Sequence, residues 1–190
     1  IAFSDVSTIT LLTAVAMIDT IEQLTGVRPG IKWTNDIYLH GRKLCGILTE
    51  ATIEGESGLI RSIIVGIGLD LYQQYTDFEP EIRDIAGSVL SETGVRVNPA
   101  DYVAKLAENF EKYYLDQHFP ENKHSFLKRY KEALFFLGQT VTVSSVREEY
   151  SAVAEGINEN GELIVRREDG RMETLNSGEI RLKLNLKDYR

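Results

Sequence analysis

Apolar residues recur at Val6, Ile9, Leu12 or Thr13, Ala16, Met17, Ile21 and Leu24, a 3.6-residue period that predicts a helix from about Asp5 to Leu24. Gly26 and Pro29 mark its end. Four strand-like stretches follow, around Ile31–Trp33, Ile37–Leu39, Lys43–Thr52 and Leu59–Leu71. Asn35-Asp36, His40-Gly41 and Glu54-Gly55-Glu56-Ser57-Gly58 join them with turn chemistry, so an antiparallel meander is the simplest topology. From Tyr72 to Glu81 the period is lost, and the stretch reads as a mobile loop. Asn98-Pro99 reads as an N-cap followed by Pro at the first helical position, opening a helix to about Gln117. Pro120 opens another, to about Phe136.

After Gly138 the pattern changes to alternation, in Thr140–Ser144, Ala152–Gly156, Glu162–Arg166 and Arg181–Leu186. Turns fall at Asn158–Gly161 and Asp169-Gly170. Short strands at this spacing predict a small SH3-like barrel over residues 138–190, behind a main domain at 1–137. The expected class is α+β.

Composition narrows the function. A 43% hydrophobic and 26% charged chain of 190 residues is an ordinary globular protein with room for one sizeable core. Its formal net charge of −8, with no Lys/Arg run and no helix-turn-helix pattern, argues against a nonspecific nucleic-acid surface or a DNA-binding domain. The single cysteine, Cys45, allows no intrachain disulfide and fits a reducing cytoplasm. No apolar run approaches the ~20 residues that span a bilayer, and no secretory leader pattern appears. The chain opens on Ile1 rather than Met and is expected to be a portion of a longer protein.

Candidate chemistry gathers around the His40-Gly41 hairpin. Lys43 offers a cation that could meet a carboxylate and a phosphoryl oxygen, although a lysine just past a hairpin is equally an edge charge facing water. Asp36 offers a carboxylate of the kind that reaches Mg²⁺ beside a triphosphate or positions an attacking amine; Asn35-Asp36 is also ordinary turn chemistry. Lys32 adds positive potential, and Trp33 reads as core packing. Gly46, Gly66 and Gly68 interrupt strand patterns, marking either bulges or a close approach by a ligand. His40, His118 and His124 show no metal-ligand spacing with Cys45, and the Asp101–Lys112 helix and Tyr113-Tyr114 read as solvated face and packing.

The segment from Lys32 to Leu48 closely resembles a signature of biotin protein ligases. There a Lys-Trp-Pro-Asn-Asp stretch leads through a short hairpin into Arg-Lys-Leu-x-Gly-Ile-Leu. This chain matches at Lys32, Trp33, Asn35, Asp36, Arg42, Lys43, Leu44, Gly46, Ile47 and Leu48, with Thr34 in place of proline. Val65–Asp70 resembles the family's Gly-Ile-Gly-Ile-Asn stretch. Asn158–Gly161 and Gly178–Leu182 resemble its C-terminal turn and closing strand.

The resemblance implies a mixed-sheet core related to class II aminoacyl-tRNA synthetases. It implies activation of biotin by Mg²⁺ and ATP to biotinyl-5′-AMP, then transfer to a lysine of a biotin carboxyl carrier domain. Lys43 and Asp36 would be catalytic; Lys43, Gly46, Leu48 and Gly66 would contact biotin; Lys32, Asn35, Asp36 and Asp70 would contact ATP. No metal ligand is certain, Asp36 being the candidate for Mg²⁺. Tyr72–Ala86 falls where the family has a segment that orders over the adenylate, with Phe78, Ile82 and Ile85 as candidates for its closing face. Family members often form homodimers by pairing sheet edges.

Two departures matter. The family has asparagine where this chain has Asp70 and again where it has Tyr72; a carboxylate accepts but cannot donate as an amide does. The Gly-Arg-Gly-Arg-x-Gly-Arg stretch that contacts biotin and phosphates is not in this sequence and is expected upstream, so these residues alone should form half a site. Two alternatives stay open: a lipoate- or octanoate-type protein ligase, and a biotin-binding paralogue or fragment without turnover.

Overall fold

The computed structural model describes residues 5–55, 59–116, 118–144, 148–176 and 179–182. The first helix, α1 (Val6–Thr25), ends where Gly26 adopts φ 76° and donates its N–H to the Glu22 carbonyl at 2.8 Å. Its spacing predicted one apolar face, yet every residue from Leu11 to Ile21 is buried. Helices that are buried all round belong to the centre of a fold. The polar residues inside it are satisfied locally or by neighbours: Thr13 Oγ1 donates to Ile9 and Thr20 Oγ1 to Ala16.

Four strands follow: β1 (Gly30–Lys32), β2 (Asp36–Leu39), β3 (Arg42–Ile53) and β4 (Ile60–Leu69), paired in the order β1-β2-β3-β4. The expected meander is present, and Trp33 falls just outside β1. Among the described residues every ladder is antiparallel, and the parallel contacts are the bridges Ile31–Leu134 and Lys43–Ala86; the α+β class is as expected. Part of the predicted turn, residues 56–58, lies outside the described residues.

The aperiodic stretch after β4 carries a 3₁₀ turn at Tyr75–Asp77, then α2 (Val89–Thr93). Sequence periodicity missed α2 because five residues are too few to show a period; Ser88 caps it by accepting from the Ser91 N–H. Asn98 caps α3 (Pro99–Glu111) as expected, accepting from Ala100 at 2.8 Å, and a π turn at Lys112–Asp116 extends it. The next helix, α4 (His124–Ala133), is shorter than predicted, because residues 118–123 form turns.

The C-terminal part is a five-stranded antiparallel sheet, β5 (Thr140–Ser144), β6 (Glu149–Ile157), β7 (Leu163–Arg167), β8 (Met172–Leu175) and β9 (Glu179–Leu182), in the order β8-β7-β6-β5-β9. β8 was not anticipated, because Met172–Leu175 shows no alternation of apolar and polar residues. The predicted continuation to Leu186, like Gly178, lies outside the described residues.

Both sheets share one apolar core. Leu11, Ile18, Trp33 and Ile47 belong to the same buried cluster as Val141, Ala154, Leu163 and Ile180. Gly161 keys them together. It has φ +77°, and a Cβ there would stand 2.0 Å from Leu11 Cδ1. Its carbonyl accepts the Trp33 indole N–H at 3.0 Å, which fits the expectation that Trp33 packs in the core.

The helices are tied by charge. Arg129 on α4 donates through Nε and Nη2 to Asp19 at 2.8 and 2.6 Å and through Nη2 to Glu22 at 2.5 Å, while the Tyr113 hydroxyl donates to Asp19 at 2.7 Å. Burial and the Asp19 bond hold the Tyr113 hydroxyl far above its usual range, so it stays a donor. Replacing Arg129 by Ala leaves a buried carboxylate without its counter-charge and should cost about 3 kcal/mol. In a chain of this size the thermal midpoint should fall by about 6–12 °C, readable by calorimetry, whereas Tyr113→Phe should cost about 1 kcal/mol.

Candidate active site

Directly opposed residues of an antiparallel ladder share a face. Lys32 opposes Asp36, Asp36 opposes Gly46, and Gly46 opposes Gly68, so one row crosses all four strands. Leu48 opposes Gly66 on the same face. Intervening residues Ile31, Ile37, Cys45 and Ile47 are buried beneath α1. The row therefore lies on the face turned away from α1, where Leu48 is 62% exposed and Gly66 and Gly68 are bare backbone.

A bulge delivers Lys43 to this face. Ile37 opposes Cys45 but Tyr38 opposes Lys43, so Leu44 is an extra residue in β3. Unbulged pairing would set Lys43 against Leu39, on the buried side. Instead the Lys43 ammonium reaches Asp36 Oδ1 at 2.6 Å, and a Cβ at Gly46 would stand 3.4 Å from the same ammonium. Gly66 and Gly68 have only the carbonyls of Leu48 and Gly46 within reach of an added Cβ, at 3.7 and 3.8 Å. The result is a flat glycine floor with an ion pair standing at one end.

Beneath the floor lies Cys45. Burial pushes its thiol up to about 12, helped by the Asp36 charge, opposed by Lys43 and raised again by Asp70. Cys45 itself stays a neutral thiol and offers no nucleophile.

The turn that carries the ion pair is fixed from three sides. Tyr130, fully buried on α4, donates to the Thr34 carbonyl at 2.7 Å. Asn35 donates its amide to the Ile47 carbonyl at 2.7 Å and accepts the Ile47 N–H on its own carbonyl at 3.0 Å. Asn35 therefore spends its amide nitrogen on the sheet. The Trp33–Thr34 peptide is cis. Lys32 stands 5.9 Å from the Tyr38 ring centroid, on the same face as Asp36. Tyr130 and Gly161 support the site from far along the chain; the Gly161 turn is legible locally, but neither residue's contact with the site is.

Asp70 follows β4 directly, with its N–H donating to the Leu44 carbonyl and its own carbonyl accepting from Val89. Burial raises its carboxyl above the ordinary range. Tyr72 points elsewhere: its hydroxyl donates to the Val97 carbonyl at 2.5 Å and its ring lies 4.3 Å from the Arg96 guanidinium. An apolar groove of about 590 Å³ between α1, β4 and α3 is lined by Thr13, Val65, Ile67, Leu106, Phe110 and Tyr114. None of the expected site residues lines it. No cluster of three or more metal-binding side chains occurs among the described residues, and no helix there is long and apolar enough to cross a membrane.

The site is thus an ion pair on a glycine-floored sheet, with the C-terminal barrel packed into the same core. Residues 2–70 match the model of the biotin/lipoate A/B protein ligase family, and residues 136–183 match that of the biotin protein ligase C-terminal domain. The chain is 31% identical over 170 residues to the biotin–[acetyl-CoA-carboxylase] ligase of Paracoccus denitrificans, covering 86% of this chain and 68% of that one. It belongs to the biotin protein ligase family. It is also 34% identical over 165 residues to the bifunctional ligase/repressor BirA of Bacillus subtilis, covering 85% of this chain and 49% of that one. The chain thus spans about half the length of the BirA proteins it matches. The fold is that of the apo biotin protein ligase from Aquifex aeolicus, with a TM-score of 0.82 at 21% identity over 95% of this chain and 77% of that one.

The raised Asp70 carboxyl gives a signed prediction. The folded state holds this proton more tightly than the unfolded state, so the carboxylate costs stability that appears as pH rises through the folded value. Asp70→Asn should raise the urea midpoint at pH 7. The gain should shrink as pH falls toward about 4, the ordinary carboxyl range.

Proposed function

We propose that this chain carries one wall of the active site of a biotin protein ligase. The reaction activates biotin with ATP to biotinyl-5′-AMP and pyrophosphate. The ε-amine of a lysine on a biotin carboxyl carrier domain then displaces AMP. The observation that carries the reading is the Lys43–Asp36 pair, 2.6 Å long, at the end of a glycine floor open to a ligand.

Biotin is a flat bicycle with an acyl tail, and bare strand backbone at Gly46, Gly66 and Gly68 lets such a ring lie against the sheet with Leu48 at its margin. The carboxylate then points toward Lys43. Attack of a carboxylate on the α-phosphorus builds negative charge between two anions. A fixed ammonium there lowers the barrier without reorganising, and Lys32 adds to the same field. In the second step Asp36 accepts a hydrogen bond from the incoming amine and orients it. Asp36 is the carboxylate that would hold Mg²⁺, an ion that takes oxygen ligands from one or two carboxylates plus phosphates and would neutralise phosphate charge when bound. Asn35 serves by holding the turn. The match of residues 136–183 to the biotin ligase C-terminal domain favours biotin over lipoate as the acid.

The test uses the full-length protein with biotin, ATP and an isolated carrier domain. Lys43→Ala should lower biotin-dependent pyrophosphate release about 100-fold or more, the size of losing one preorganised charge stabiliser. Full activity of that variant, or equal turnover of lipoate, would reject the reading. Gly66→Ala adds a methyl whose nearest neighbour is 3.7 Å away, so the fold should tolerate it while biotin KM rises. Isothermal titration with biotin and a thermal melt read the two effects separately.

A further inference from the structure

Lys43 is held from behind by a group of residues that the ligand never needs to touch. Its backbone N–H donates to the Ile85 carbonyl at 2.7 Å, and its carbonyl accepts from Gly87 at 3.0 Å, pinning residues 85–87 alongside the start of β3. The neighbouring Arg42 runs the other way. Its Nη1 donates to the carbonyls of Arg83 at 2.7 Å and Ala86 at 3.1 Å, and its guanidinium lies 4.3 Å from the Tyr75 ring centroid.

Glu92 on α2 closes the ring. Its side chain is only 5% exposed, and it faces Arg42 Nε at 4.0 Å and His40 Nδ1 at 3.5 Å. The hydroxyls of Tyr75 and Ser91 both donate to its Oε1 at 3.0 Å. Gly87 makes room for this: a Cβ there would stand 2.8 Å from Glu92 Oε1 and 3.0 Å from Arg42 Cβ. Buried charges persist where partners satisfy them. Among the described residues, the side-chain partners of Arg42 and Glu92 lie on the hairpin, on the Tyr75–Gly87 segment or on α2.

The geometry points to Arg42 and Glu92 as positioning residues: together they clasp the Tyr75–Gly87 segment onto the first residues of β3 and so fix where the Lys43 ammonium stands over the glycine floor. Arg42 Nη1 holds the far end of the segment through two carbonyls, and the guanidinium plane holds its near end through a ring face. Lysine does not replace it, since an ammonium placed between the two carbonyls has no guanidinium plane to cover the Tyr75 ring and no second nitrogen to face Glu92. The clasp rests on the active-site reading for its catalytic consequence but not for its existence.

Two measurements on the chain test it without turnover. Hydrogen exchange reads the Lys43 and Gly87 amides; amine-directed acylation, followed by mass spectrometry, reads how well Asp36 shields Lys43. Arg42→Ala should speed both by about tenfold or more, with exchange at the Ile47 amide unaltered, which separates local release from unfolding. Arg42→Lys should fail to restore protection, and Glu92→Gln, which keeps the two hydroxyl bonds and loses the charge, should give a smaller rise. Unaltered exchange at Lys43 and Gly87, or released exchange with unaltered Lys43 acylation, overturns the inference. In the full-length enzyme Arg42→Ala should lower kcat for biotin activation by about tenfold with little change in biotin KM, the pattern of a misplaced charge stabiliser; a KM effect alone overturns the positioning role. A parent enzyme with an intact clasp and no activity would instead count against the biotin ligase reading alone.

Discussion

A helix buried on every side must find a neighbour for each face, and α1 finds the sheet, α3, α4 and the Gly161 turn of the C-terminal barrel. This constraint arranges the rest. With α1 on one face of the β1–β4 sheet, Ile31, Ile37, Cys45 and Ile47 must point inward. The period of two then sends Lys32, Asp36, Gly46 and Gly68 outward. The open face exists because the other is so completely covered. The Asp19–Arg129–Tyr113 cluster serves the same end, letting a carboxylate occupy a helix that has no solvent side.

The Lys43–Asp36 pair has a different energetic character. The Lys43 side chain is 42% exposed, and pairs of this kind contribute about 0–1 kcal/mol to folding. The fold does not depend on it. It does depend on the elements that bring it about, namely the bulge at Leu44 and the Tyr130 and Asn35 hydrogen bonds that hold the turn. Stability is spent on rigid support, and the charges are left half in water, where a ligand can reach and desolvate them.

How much of this was legible in the sequence follows from the range of each interaction. The meander, the Asn98 cap and the barrel strands β5 to β7 show in local period and turn residues, so reading along the chain finds them. The resemblance over Lys32–Leu48 brought Lys43 and Asp36 together before any geometry was known. The all-round burial of α1 was hidden because Asp19 and Thr20 look like a solvent face until Arg129 and Asn109, from distant helices, satisfy them. β8 lacks alternation, and α2 is too short for a period. Asn35, read as an ATP contact, shows its structural duty only once Ile47 lies across from it. Glu92 reads as an ordinary surface carboxylate, and nothing local joins it to Arg42, fifty residues earlier. Sequence patterns register pairings between neighbours and faces; they do not register partners that the chain brings back from afar.

The glycine floor shows which of the two demands, stability or access, prevails at the site. Glycine within a strand costs roughly 0.5–1 kcal/mol relative to alanine, so Gly46, Gly66 and Gly68 together forgo about 1.5–3 kcal/mol. Space does not require glycine at Gly66 or Gly68, because an added Cβ would make only ordinary contacts there. At Gly46 the nearest atom is the Lys43 ammonium itself, so a methyl would crowd the charge and not the backbone. Packing within the chain therefore does not account for these three positions. The flat ligand proposed for this face, with its acid end against Lys43, would.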